Sequence, residues 1–143
     1  MIEVKYVCVR RNSGQYIIFT NREGMMLCNL NFHQGVFEKI QLNGVLFCRS
    51  DFRSAKFYHS TFERCDFSRA SFIAFRAQNV SFINCVFDAA SFIASDFVNC
   101  DFSGSTFNNI FTHNVDFIGE IPLAFGGHQS STGSGSGQNQ TGE

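Results

Sequence analysis

A five-residue periodicity runs through most of this chain. Counting every fifth residue from Phe32 to Phe117 gives eighteen positions, and fifteen of them are phenylalanine. The other three are Leu42, Ala77 and Thr112. A period of five fits neither the 3.6-residue repeat of an α-helix nor the alternation of an ordinary β-strand. The pattern therefore predicts a repeat architecture built from five-residue units.

A second restricted position lies two residues before each of these positions. From Gly35 to Val115 it holds only small or apolar residues, whereas the other three positions accept polar residues freely. Each unit therefore has one large and one small inward side chain, and three outward ones. The phenylalanines predicted to fill the axis are Phe32, Phe37, Phe47, Phe52, Phe57, Phe62, Phe67, Phe72, Phe82, Phe87, Phe92, Phe97, Phe102, Phe107 and Phe117.

The pattern resembles the pentapeptide-repeat family, whose motif is small, Asp or Asn, Leu or Phe, polar, any. Units that match it well are CDFSR (65–69), ASFIA (70–74), SDFVN (95–99), CDFSG (100–104) and STFNN (105–109). The resemblance implies an all-β fold, a right-handed quadrilateral parallel β-helix with four units per coil and the phenylalanines on its axis. Eighteen units correspond to about four to five coils, stacked at the strand spacing of about 4.8 Å.

The same register divides the chain into four parts. Residues 1–30 are predicted to form an N-terminal β hairpin or capping strand, and 31–119 the β-helix. Residues 120–125 are predicted to form a C-terminal cap, in which Pro122 stops the ladder. Residues 126–143 are rich in Gly and Ser and are expected to be a flexible tail.

Two units break the pattern. At Ala77 the large residue is missing, but Phe75 occupies the small position of the same unit, so an exchange of large and small would conserve the axial volume. At Thr112 the preceding residues are apolar. We expect fraying of the repeat to explain both interruptions, and the last coil to distort before Phe117.

Six cysteines raise the question of disulfides. None lies in a C-x-x-C motif, and no histidine stands beside them at a zinc-like spacing, so no metal or other cofactor is predicted. The chain start lacks the layout of a secretory signal, which favours a cytoplasmic protein, or one incorporated in a particle assembled there, with six free thiols. Cys65 and Cys85 are predicted to stack inward and Cys28 and Cys48 outward, at separations that do not by themselves exclude bridges.

Charge is split along the chain. Residues 1–76 contain all 11 Lys and Arg against six acids, whereas 77–143 contain six acids and no Lys or Arg. The net charge of −1 argues against direct nucleic-acid binding by a generally basic surface. Because height along a solenoid follows the sequence, the split becomes an axial dipole. Its sign is predicted to change within one outward column, between Arg76 and Asp96.

Apolar residues also occupy positions where the motif expects polar ones. Ile73 and Ile93 are twenty residues apart and are predicted to stack on one side of the rod, with Phe111 nearby. β-branched residues also suit strands, but a stacked apolar run favours a contact surface. The candidate interface comprises Ile73, Ile93, Phe111, Ile83, Val98, Ile118, Arg76 and Asp96.

Motifs of catalysis are missing from the sequence. We interpret the Asp residues before axial positions as caps of corner amides, and a filled axis leaves no cavity for a small-molecule substrate. The chain has no apolar run of about 18 residues, so no membrane span is predicted. The residues favour a non-catalytic structural or protein-interaction module with a protein partner or self-association, as in a phage or virus particle component or a bacterial scaffold. The alternative is a DNA mimic that inhibits or protects a type II topoisomerase, as fluoroquinolone-resistance members of the resembled family are.

Overall fold

The computed structural model describes residues 6–10, 16–20 and 22–126, and the predicted tail lies outside them apart from its first residue, Gly126. In chain order the strands are Tyr6–Arg10 (β1), Tyr16–Thr20 (β2), Val36–Glu38 (β3), Gln41–Asn43 (β4), Lys56–Tyr58 (β5), Thr61–Glu63 (β6), Ser71–Ile73 (β7), Arg76–Gln78 (β8), Ser81–Ile83 (β9), Ser91–Ile93 (β10), Asp96–Val98 (β11), Phe111–His113 (β12) and Asp116–Ile118 (β13). A 3₁₀ helix follows at Leu123–Phe125.

Strands twenty residues apart pair in parallel and form the walls of a four-sided β-helix. Side 1 contains β7, β10 and β12, side 2 contains β3, β5, β8, β11 and β13, and side 3 contains β4, β6 and β9. Side 4 is held by single bridges, such as Met26 to Leu46 and Leu46 to Asp66. The fold is therefore the all-β solenoid that the sequence predicts.

Phenylalanine rings fill the interior of this helix. Their columns repeat every twenty residues, and Phe67 and Phe87 stack with ring centroids 5.1 Å apart. Small inward residues complete the wall, and those with a hydroxyl or thiol form hydrogen bonds to the coil below. The Ser50 hydroxyl, for example, donates to the Leu27 carbonyl at 2.7 Å. Of the fifteen predicted axial rings, only Phe102 is half-buried, and the others are buried.

The corners are formed by residues with left-handed backbone. They stand two positions after each axial residue, as at Asn79 (φ 56°), Asn99 (φ 52°) and Gly104 (φ 72°). Asn and Gly adopt this conformation at the lowest steric cost, which explains their frequency at these positions. At Gly104 an added Cβ would clash with the Asn84 side chain, so glycine also allows the close approach of adjacent corners there.

The register runs through both interruptions, so the expected fraying is wrong. Ala77 pairs with Phe57 and Phe97 on the neighbouring coils, and Thr112 pairs with Phe92. Backbone pairing depends on backbone geometry rather than on ring size, and a missing ring therefore leaves the ladder intact. The last coil continues without distortion to Phe117.

The ladder also begins earlier than the predicted residue 31, since Gly24 already donates to the Gly44 carbonyl at 2.8 Å. Before it, β1 and β2 form an antiparallel hairpin, and Arg10 pairs with Val36 at the start of side 2. Val9 is fully buried as part of the core. The hairpin therefore covers the N-terminal edge of side 2.

Candidate interaction surface

Side 1 carries an apolar patch, which we define as Ile73, Ala74, Ile93, Ala94 and Phe111. The register pairs Ile73 with Ile93, and Phe111 follows on the next strand, opposite Ser91. Both isoleucines are half-buried, whereas Phe111 is 55% exposed. The patch contains no charged side chain. It is thus an uncharged, apolar area on one wall of the rod.

Unusual corner residues keep this area flat. Ala74 and Ala94 are exposed and have left-handed backbone, with φ of 54° and 53°. Alanine gains neither the freedom of glycine nor the local hydrogen bonds of asparagine in this conformation. Sequence reasoning missed these two residues. Their signal was the exact repetition of ASFIA at 70–74 and 90–94, one coil apart.

A charged column borders the patch across the corner, on side 2. It consists of Lys56, Arg76, Asp96 and Asp116, one residue per coil in the observed register. Arg76 Nη1 and Asp96 Oδ2 lie 3.7 Å apart, and both side chains are more than 40% exposed. An ion pair this exposed contributes only about 0–1 kcal/mol. The column therefore matters less for stability than as a place where surface charge changes sign.

The other predicted interface residues do not all join this surface. Val98 and Ile118 stack on each other on side 2, beyond the charged column, and Ile118 is 43% exposed. Ile83 belongs to β9 on side 3, opposite side 1. The six apolar positions therefore form a group of three on side 1, a pair on side 2 and one isolated residue on side 3.

Three of the aspartates before axial positions act as turn caps. The carboxylates of Asp51, Asp66 and Asp101 accept the backbone N–H two residues later at 2.8–2.9 Å. Partial desolvation would raise the pKa of Asp51, but hydrogen bonds from Arg53 and its positive charge outweigh it, so the pKa lies below the ordinary value. Asp96 and Asp116 start strands on side 2 instead. The capping interpretation thus holds for the first three.

The prediction of six free thiols is wrong, because Cys28 and Cys48 form a disulfide. They are outward neighbours on successive coils of side 4, with Cα atoms 4.7 Å apart, inside the usual range for a bridge. The prediction of free thiols was based only on an expected cytoplasmic location, which says nothing about the geometry of this pair. The spacing of twenty residues allows a bridge, but the equally spaced Cys65 and Cys85 are free.

The inward cysteines Cys65, Cys85 and Cys100 are free and buried. The Cys85 thiol donates to the Phe62 carbonyl at 3.2 Å. Its contact with Cys65, and then burial, raise its pKa above the ordinary value, and burial raises the pKa of Cys100 to about 12. Cys85 and Cys100 are therefore protonated at neutral pH and react slowly with oxidants, since the thiolate is the reactive form.

An open pocket of about 410 Å³ lies at the C-terminal end, between the last coil and the 3₁₀ helix. The sequence predicted no cavity for a small-molecule substrate, and that prediction is wrong for the end where the chain leaves the ladder before Pro122 and forms this pocket. Its lining is formed by Phe102, Ser103, Ser105, Phe107, Asn108, Glu120, Pro122, Leu123 and Ala124. Within the described ranges, no three His, Cys, Asp or Glu side chains are grouped as a metal site would require. No helix in the described part of the chain is long and apolar enough to cross a membrane.

These features define a non-globular repeat protein, a β-solenoid with phenylalanine on its axis. The family model for pentapeptide repeats matches residues 31–69 and 65–109, with eight copies. The chain therefore belongs to the pentapeptide-repeat family. No curated protein matches the sequence.

Several solved structures are similar in part. QnrB1, a plasmid-mediated fluoroquinolone resistance protein, is 16% identical over 65% of this chain and 55% of its own, with a TM-score of 0.31. This chain thus spans about half the length of that protein. A pentapeptide repeat protein from the Arabidopsis thaliana thylakoid lumen is 20% identical over 79% of this chain and 84% of its own, with a TM-score of 0.40. Rfr23 from the cyanobacterium Cyanothece 51142 is 14% identical over 65% and 84%, with a TM-score of 0.23.

Proposed function

We propose that this protein is a non-catalytic interaction module, a rigid rod that presents side 1 to a protein partner within a larger assembly. The observation that carries the proposal is the apolar patch on two identical ASFIA units. Exposed, contiguous apolar surface on a soluble protein is typical of a protein interface.

The structural roles of the inward side chains, the capping aspartates and the buried thiols agree with a binding role. The described inward positions hold rings, aliphatic side chains and small side chains, and three of the aspartates that could suggest acid–base chemistry are occupied as turn caps. The buried thiols Cys85 and Cys100 are held protonated. A rod of this kind offers its partner a rigid wall, which loses little conformational entropy on binding.

A pull-down from the source lysate tests the proposal. The Ile73→Asp, Ile93→Asp double variant should lose the specific partner because two carboxylates would be buried in an apolar contact. Ile83→Asp is the matched control, since Ile83 stands in an identical Ser–Phe–Ile strand on side 3. Equal retention of the partner by all three proteins would contradict a role for side 1. If the partner is lost only with the double variant, its identity would show whether the assembly is a phage or virus particle or a bacterial scaffold.

The alternative, DNA mimicry directed at a type II topoisomerase, needs an acidic surface along the rod. Here all the Lys and Arg residues precede residue 77, and Lys56 stacks on Arg76 within this basic half. Mimicry is therefore disfavoured on charge. Inhibition of gyrase supercoiling by micromolar protein would reverse this judgement.

A further inference from the structure

Resting on the proposed function, we infer that the partner of side 1 is a second copy of this chain, packed side by side and antiparallel. The two rods would be related by a two-fold axis that lies in the interface and runs along the strands of side 1. The axis would pass midway between the coil of Ile73 and the coil of Ile93. Isologous two-fold contacts of this kind are the commonest in soluble homo-oligomers.

The charged column has the symmetry that this arrangement requires. Rotation about the axis inverts height along the rod and leaves position along the strand unchanged. Arg76 would then face Asp96 of the second copy, and Lys56 would face Asp116. The column changes sign at the height of the axis, between Arg76 and Asp96. A parallel two-fold pair, whose axis would run along the rod, would instead carry the two charged columns to opposite edges of the contact, where they could not pair.

The two ASFIA units of the patch are centred at the same height, whereas Phe111, one coil higher, would face Asp51 of the second copy. The rotation places Ile73 against Ile93 of the second copy and Ala74 against Ala94, with Ser71 opposite Ser91. The identical ASFIA units therefore give a self-complementary contact with apolar groups at the centre and charges at the rim. This distribution is that of ordinary protein interfaces.

The small area of side 1 also limits the expected affinity of the dimer. One side of the rod offers few outward residues per coil, so the contact buries less than the roughly 800 Å² per partner of a standard interface. We expect a weak, reversible dimer, since interfaces of this size class are typical of transient contacts. Association should weaken at high salt, because the Debye length falls from about 10 Å at 0.1 M to about 3 Å at 1 M.

Sedimentation velocity over a concentration series of the full chain tests the dimer. The wild type and Ile83→Asp should show the same monomer–dimer equilibrium, and Ile73→Asp, Ile93→Asp should raise the dissociation constant about 30-fold or more. Matching far-ultraviolet CD spectra and melting curves would show that the variants fold. A wild type that stays monomeric into the hundreds of micromolar would overturn the inference.

Cross-linking tests the geometry independently of stability. Ala74→Cys protein mixed with Ala94→Cys protein should give a disulfide-linked heterodimer, whereas either protein alone should give much less covalent dimer. Efficient Ala74→Cys homodimers would instead show that the two Ala74 residues face each other, and would overturn an axis midway between the coils of Ile73 and Ile93. A monomeric wild type that still captures a partner through side 1 would refute only the second copy. A wild type that is monomeric and also captures no partner through side 1 in the pull-down would refute the proposed function as well.

Discussion

The axis lacks its large residue at Ala77 and at Thr112, and the two sites are filled in different ways. At Ala77 the ring comes from the same unit. Phe75 is 1% exposed and packs against Phe57 and Phe72, with ring centroids 4.8 and 4.9 Å away. The exchange takes place in mid-rod, where coils cover it from both sides.

At Thr112 the ring comes from outside the ladder. Phe125, in the 3₁₀ helix, packs against Phe92, Phe107 and Phe117 with centroids 5.1–5.3 Å away. The Thr112 hydroxyl is buried and, among the described residues, has no hydrogen-bond partner. A missing ring inside the rod is thus replaced locally, whereas one at the end leaves room for a distant segment to cap the axis.

The largest effect is expected for Phe75→Ala. The change leaves a cavity among rings that the coils on both sides hold in place, and should lower the free energy of unfolding by about 3–5 kcal/mol. A urea titration measures the loss, with Phe87→Ala, in a regular unit, as a reference of similar size. A loss below about 1 kcal/mol would contradict the role of Phe75 as an axial ring.

Phe125→Ala should lower the free energy of unfolding by about 1–2 kcal/mol less than Phe75→Ala does. The short helix at the end can move onto the exposed rings and reduce the cavity. The same titration compares them. Equal losses would show that the end of the rod is as rigidly packed as its middle, and would remove the distinction between the two sites.

The double variant Phe75→Ala, Ala77→Phe restores the regular motif in the middle unit. Its free energy of unfolding should lie within about 1.5 kcal/mol of the wild-type value, since the ring volume on the axis is conserved. Ala77→Phe alone is the control, and should destabilise by about 1–3 kcal/mol through overpacking. A double variant as unstable as Phe75→Ala would mean that the site is specific for the exchanged order.

Thr112→Val is expected to have the smallest effect and the opposite sign. It removes a buried hydroxyl without a partner and keeps the shape of the side chain, so stability should rise by about 1 kcal/mol. Thr112→Ser, which keeps the hydroxyl, serves as the control. A decrease in stability for Thr112→Val would indicate that the hydroxyl is hydrogen-bonded in solution.

Much of the candidate surface could be predicted from spacing alone. A twenty-residue coil stacks Ile73 on Ile93 and Arg76 on Asp96, because the register of a solenoid follows directly from counting units. The corner alanines Ala74 and Ala94 were equally countable, but their meaning depends on the left-handed backbone that the corner imposes. Counting five-residue units also places Ile83 on the opposite side of the rod. Its residue type alone would group it with the other apolar positions.

The repeat by itself determined the axial rings of the regular units, and the family resemblance that it carries implied the four-sided coil in which neighbouring coils pair in one register. Tertiary structure decided what periodicity does not encode. Phe125 reaches the axis from a segment outside the repeat, and Cys28 and Cys48 bond while the equally spaced Cys65 and Cys85 do not. The physical reason is that these outcomes depend on the direction of side chains and on which atoms bury them, and both are set by packing in three dimensions.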